Sequence, residues 1–381
     1  IVQSSDHAVI DWRSFDIAPN EHTQFYQPSS SSMTLNRVNS GDASQIMGTL
    51  TANGNIMIIN PSGVIFGKDS HVDVNGLVAT SSNINNADFM KGQLNFNQPG
   101  HADARIINEG TITAQDAGLV GLVAPNVSNS GTITAKLGKV HLASGDSFSV
   151  DLYGDGLMDI ALSDDVKAQI VSNTGVINAG GGEIRMTAAK GGQVLNSLVT
   201  IEGELKAPSV SQKNGRIVIS GDVISHTGAM DVSGATGGSV QITGRNIAHQ
   251  GKILANGKSG KGGLVNINFT NAYLDNERAI TDVSGNAGDG GIITVQGSNG
   301  SHAFISGNYD SSSITNKGGS VTMSAEAGDL KLFGAHVLAD GLSGGGSVLI
   351  GGDYQGIGTT VHSSTTSINY ATTLSANATG I

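Results

Sequence analysis

The sequence predicts an all-β chain wound as a parallel β-helix, a solenoid with an N-terminal β cap. Three observations predict it: a short Gly-containing unit recurs at a narrow range of spacings, each unit alternates apolar with polar residues, and large side chains are scarce. Gly accounts for 55 of 381 residues, aromatics for 4% and charged residues for 13%, against roughly 7% Gly and 25% charged residues in ordinary chains. So few large side chains exclude a thick core. A thin, repetitive core of small aliphatic residues is how solenoids are built.

Residues 1 to about 55 break the repeat and carry Trp12, Phe15, Phe25 and Tyr26. A solenoid end exposes an unpaired strand edge, and this segment is expected to cap it. The alternating strand Asn55 to Ile59 leads into Asn60-Pro61-Ser62-Gly63-Val64, a strong turn sequence because Pro fixes φ and Gly permits the positive φ that follows. Further on, a unit of Gly, any residue, apolar, any residue, small apolar starts at Gly110, Gly131, Gly175, Gly203, Gly228 and Gly251, in steps of 21, 44, 28, 25 and 23. The step of 44 reads as two periods of 22, with the Asp-rich stretch from Asp146 to Asp165 filling the unmatched turn. A second pattern, Gly before an alternating apolar triplet, starts at Gly238, Gly263, Gly291, Gly319 and Gly346. These are two registers of one coil, each coil giving two or three short strands that pair with the coils above and below at ~4.8 Å. Sustained helical spacing occurs nowhere. A β-propeller needs repeats of ~40 residues with Trp-Asp signatures, which the single Trp12 cannot supply. From Ser363 to Ile381 the Ser/Thr alternation persists without a capping helix, so the solenoid is expected to continue in a longer chain.

Composition also bounds function. With 20 Lys+Arg against 31 Asp+Glu the formal charge is −11, which repels phosphate backbones and excludes nucleic acid as a partner. No apolar run approaches the ~20 residues of a membrane helix, and no basic segment followed by an apolar one opens the chain. Because Ile1 is not Met, the chain reads as processed or truncated. The absence of Cys excludes a disulfide framework and a thiolate metal site. It suits equally a chain that crosses an oxidising compartment unfolded and a cytoplasmic chain that happens to lack Cys.

Candidate chemistry is sparse. Gly257-Lys258-Ser259 has Lys252 where a phosphate-binding loop needs its first Gly, and no GxGxxG occurs. The ten His lack local metal-ligand spacing. His226 and His249 both stand two residues before a repeat Gly, and are expected to form a solvated ladder in preference to a stacked metal pair. Asp151, Asp155, Asp159, Asp164 and Asp165 form the densest acidic cluster. Paired carboxylates serve glycoside hydrolysis, but with only Lys167 nearby the favoured reading is a loop of solvated acids holding at most a weakly bound cation. No catalytic set, metal site or cofactor is assigned. Asn126, Asn268, Asn299 and Asn377 stand in glycosylation sequons.

Five segments in order, Ile10-Asp11-Trp12-Arg13-Ser14-Phe15-Asp16-Ile17, Leu35-Asn36-Arg37-Val38, Ile46-Met47-Gly48-Thr49-Leu50, Asn53-Gly54 and Asn60-Pro61-Ser62-Gly63-Val64, resemble the secretion domain of two-partner secretion exoproteins. These are typified by filamentous haemagglutinin and the high-molecular-weight adhesins of Gram-negative bacteria. The family's Asn-Pro-Asn-Gly-Ile motif is matched at Asn60, Pro61 and Gly63, with Ser62 and Val64 as substitutions. Its Asn-Pro-Asn-Leu motif has no match, and Gln27-Pro28-Ser29-Ser30 occupies the comparable region.

The resemblance implies a right-handed β-helix, with residues 1–225 as the secretion domain, including a cap over 1–55, and residues 226–381 as the continuing β-helix of an adhesin passenger. It implies export through the periplasm and a cognate Omp85-like outer-membrane transporter, with the N-terminal domain directing export and nucleating β-helix folding. The expected product is a secreted or surface-bound adhesin fragment, a monomeric rod that meets a host-cell or matrix receptor, glycan or protein. Two alternatives stay open: a β-helix polysaccharide-cleaving enzyme using the Asp151 to Asp165 loop, and an export domain attached to a toxin or haem-acquisition module.

Overall fold

The structure is a computed structural model that describes residues 1–381 except 40, 153, 164–165, 167–168, 190–196, 211–212, 354–356 and 381. The chain forms two compact units, Ile1–Gly203 and Glu204–Ile381. Both are parallel β-helices.

In the first unit each complete coil contributes three strands, one to each of three stacked faces. Asn55–Ile59 pairs in parallel with Met33–Val38 on one side and Gly76–Thr80 on the other. Gly63–Phe66 lies between Ser44–Ile46 and Arg105–Asn108. His71–Val74 lies between Thr49–Ala52 and Thr111–Ala114. The cap uses the same ladders: His7–Trp12 pairs with Met33–Val38 and His22–Phe25 with Thr49–Ala52, while Phe15 packs against both Trp12 and Phe25. The repeat positions stack as the pattern requires. Ile112, Ile133 and Ile177 are in register and fully buried, and burial of one such side chain contributes about 1.5–3 kcal/mol. A Cβ on Gly131 would stand 2.1 Å from the Gly110 carbonyl oxygen. The corner Gly is therefore demanded by the approach of successive backbones.

The step of 44 between repeat glycines is one coil, not two. Thr132–Ala135 pairs directly with Val176–Asn178, and Lys139–Ser144 with Glu183–Ala188. The additional residues leave the helix as an antiparallel hairpin, Ser147–Asp151 against Gly156–Ala161. An earlier excursion, after Gly76–Thr80, carries a one-turn helix, Asn86–Met90, N-capped by Asn85, and the short strand Asn95–Phe96. That strand joins the hairpin in antiparallel fashion, with the Phe96 and Phe148 rings stacked 4.7 Å apart. One turn is too short to leave a helical period in the sequence. The small sheet covers the outer side of one face of the helix, where Leu35, Met57 and Val78 cluster with Phe89, Phe96, Phe148 and Leu157. A second core thus lies outside the solenoid, and it explains why every residue of Asn55–Ile59 and Leu119–Ala124 is buried.

In the second unit the two sequence patterns fall on two faces. Val240, Val265, Ile293, Val321 and Val348 are in register on one. Leu205, Met230 and Ile253 are in register on another. Arg216–His226, Ser239–His249 and Leu264–Asp275 run on continuously past a corner, after which the ladder divides into Ile292–Gly297 and His302–Ile305.

Candidate functional site

The sequence motif Asn60 to Val64 makes the corner between Asn55–Ile59 and Gly63–Phe66. The Asn60 side chain is fully buried. Its Oδ1 accepts from the Ser62 amide (2.9 Å), closing a local turn, and its Nδ2 donates to the Asp42 carbonyl (3.0 Å) and the Ser44 hydroxyl (3.1 Å). Its amide donates to the Thr80 carbonyl. The Pro61 carbonyl accepts from the His101 amide (2.9 Å), and the Ser62 hydroxyl donates to the Gly41 carbonyl (2.8 Å). Gly63 has φ +108°, and a Cβ there would meet the Arg105 carbonyl oxygen at 2.0 Å. Val64 is buried and in register with Ser44 and Ile106. Five residues therefore tie their own coil to the one before and the one after.

A second buried lock stands one coil earlier, at the region that Gln27-Pro28-Ser29-Ser30 occupies. The Gln27 amide nitrogen Nε2 donates to the Thr34 hydroxyl (3.0 Å), and the Gln27 main chain exchanges two hydrogen bonds with the Asn53 side chain. Sequence reading passed over this, and also over a buried ladder. Asn108 Nδ2 donates to Asn129 Oδ1 and Asn129 Nδ2 to Asn173 Oδ1, each at 2.7 Å. The signal was present: in three successive units Asn stands two residues before the repeat Gly.

His226 and His249 occupy that same position, and the expected solvated ladder is corrected. Both are buried, with rings stacked 4.9 Å apart and Nδ1 atoms 3.0 Å apart, because the position faces the interior of the coil. Of the acidic cluster, Asp151 Oδ1 accepts from the Gly154 amide (2.7 Å), Asp159 Oδ2 accepts from the Ser149 hydroxyl (3.0 Å), and Asp155 is exposed in the hairpin turn. Asp164, Asp165 and Lys167 lie outside the described residues. Among the described residues no three His, Cys, Asp or Glu side chains gather as a metal site. Of the sequon residues, Asn126 and Asn268 are half-buried on strands, whereas Asn299 and Asn377 are exposed.

Stacked parallel coils with an extruded antiparallel sheet place the chain in the class of β-solenoid proteins. The chain belongs to the two-partner secretion family: the TPS secretion domain model matches residues 1–233. It is similar to a heme/hemopexin-binding protein of Haemophilus influenzae strain Rd, 36% identical over 242 residues, which are 61% of this chain and 26% of that relative. A second heme/hemopexin-binding protein of Haemophilus influenzae is 34% identical over 255 residues, 27% of its length. The matched region thus spans about a quarter of these relatives. Among solved structures, the HMW1 secretion domain from Haemophilus influenzae is 25% identical, with a TM-score of 0.68 over 98% of this chain and 96% of that one. The chain accordingly carries the secretion domain of an exoprotein that passes the periplasm and outer membrane to be secreted or held at the cell surface.

Proposed function

We propose that residues 1–225 are an export domain engaged by a cognate Omp85-like outer-membrane transporter, and that residues 226–381 begin the passenger. In this reading the Asn60 corner serves export by tying the first coils together as they form, so that each new coil is templated on the last. One observation carries it: Asn60 is fully buried with its side-chain amide bonded on both ends. A partner reading the folded surface has no access to it, so in the folded chain its role is to hold the coils together. The test compares release of residues 1–381 from a Gram-negative host with and without the transporter, for the native chain and Asn60→Ala. Release that needs the transporter and falls in the variant is expected. Equal release in all four cases overturns the proposal.

For the passenger we favour a surface adhesin with a glycan or protein receptor, acting as a monomer, a reading that rests on the resemblance of the N-terminal motifs to those of the high-molecular-weight adhesins. The second reading, a haem-acquisition exoprotein, is favoured by the names of the two relatives at 36% and 34% identity. Capture of hemopexin by the immobilised chain, set against binding to epithelial cells, separates the two.

A further inference from the structure

The chain has only 15 Phe and Tyr besides its single Trp, and most of those described are buried. Phe304 and Phe333 are exceptions, 37% and 39% exposed, with rings 5.3 Å apart at 81°. Phe304 lies on the outer side of the second unit beside Leu274, which is 49% exposed and its register partner. Two residues before Phe304, on the same side of the strand, stands His302. Its Nδ1 lies 3.3 Å from Asp329 Oδ2 on the next coil, and its Nε2, on a side chain 64% exposed, meets no hydrogen-bond partner among the described residues. The Thr365 hydroxyl donates to Asp329, and this bond, ahead of the His302 charge, holds that carboxyl below its ordinary range. Ala272, the register neighbour of His302 on the other side, leaves a shallow depression of about 290 Å³ against the imidazole. Lys331 is in register with Phe304 at the depression's edge.

An imidazole whose Nδ1–H faces a carboxylate, with Nε2 free, is arranged as a metal ligand, since that pairing fixes the tautomer and raises the basicity of the ligating nitrogen. A bare cation would need at least three such ligands, and among the described residues no such group exists. A metalloporphyrin supplies four ligands of its own and needs from the protein one axial nitrogen, an apolar surface for the macrocycle and a cation for its carboxylates. We infer that this face binds ferric haem, with His302 as axial ligand oriented by Asp329, Leu274 and Phe304 beneath the ring, and Lys331 at a propionate. The choice of porphyrin rests on the haem-acquisition reading, while the choice of site rests on these side chains alone.

The experiment titrates purified residues 1–381 with haemin and, separately, with iron-free protoporphyrin, following the Soret band. Saturable one-to-one binding of haemin is expected, tenfold or more weaker in His302→Ala, and about tenfold weaker in Asp329→Asn, the usual cost of losing such an orienting partner. His22→Ala serves as the control and is expected to bind as the native chain does. Both His302 and Asp329 are solvent-exposed, so the variants are expected to fold, and circular dichroism checks this. Unchanged affinity and spectrum in His302→Ala, protoporphyrin binding as tight as haemin, or no saturable binding each overturns the site. Hemopexin capture without haemin binding would sink the site and leave the haem-acquisition reading standing.

Discussion

His226 and His249 share one short Nδ1 to Nδ1 contact, so one ring donates and the other accepts, and both are neutral. Burial, and for His226 also the charge of its neighbour, pushes both below the ordinary range, His249 to about 4. Unfolded His titrates near 6.5, so between there and about 4 the unfolded chain binds more protons and stability falls as pH falls. Asp275, in register with His249, is raised by burial to about 6 and works in the opposite sense, one proton against two. Tyr273 and Tyr309, whose hydroxyls meet over Asp275, are raised by burial and stay protonated throughout. The net effect is acid destabilisation, on the order of 3 kcal/mol from His249 alone. Urea midpoints at pH 7.5 and 4.5 are expected to diverge less in His226→Phe/His249→Phe than in the native chain. An equal divergence would place the acid sensitivity elsewhere. At the Asn60 corner, Gly63→Ala adds a Cβ at a positive φ and against a carbonyl oxygen. A loss above about 1 kcal/mol in the urea midpoint is expected, whereas the exposed Gly92→Ala, with open space around it despite its positive φ, is expected to cost less.

The extruded sheet is the element that sets the first unit apart from a plain solenoid. Phe148→Ala removes one of two stacked, buried rings, a change that typically costs about 3–5 kcal/mol. Hydrogen exchange is expected to accelerate in Gly156–Ala161 while Thr132–Ala135 keeps its protection; equal acceleration in both would show that the sheet and the coils open as one. The coils themselves were legible because Ile112, Ile133 and Ile177 recur at positions that must stack. The sheet was not, because spacing alone cannot tell an added coil from an excursion that returns to the same corner. Asp155-Gly156 between alternating apolar residues was the available hairpin signal. The partners of the Asn60 lock were beyond reach for another reason. Asp42, Ser44 and His101 arrive from neighbouring coils, and no local pattern in the sequence names them. The turn itself, by contrast, followed from Pro61 and Gly63.

At the scale of the whole molecule, the parallel ladders among the described residues pair each coil strand with neighbours some 20–45 residues away, and only the extruded sheet reaches further, with Asn95 paired to Ser149. Such a topology lets coils close in succession as the chain emerges, provided that it reaches the membrane unfolded. The absence of Cys keeps that route open through an oxidising compartment. Thr111 and Thr132 are partly exposed register partners on adjacent coils, so their Cα atoms sit about 4.8 Å apart, inside the range a disulfide spans. Thr111→Cys/Thr132→Cys is therefore expected to close a bridge once these two coils form in the periplasm. If export requires an extended chain, the double variant accumulates there in oxidised form and is released when reductant is added, while each single variant is exported like the native chain. Oxidised double variant recovered outside the cell at the native rate would mean that folded coils cross the membrane, and that the release of folding energy outside plays no part in moving the chain.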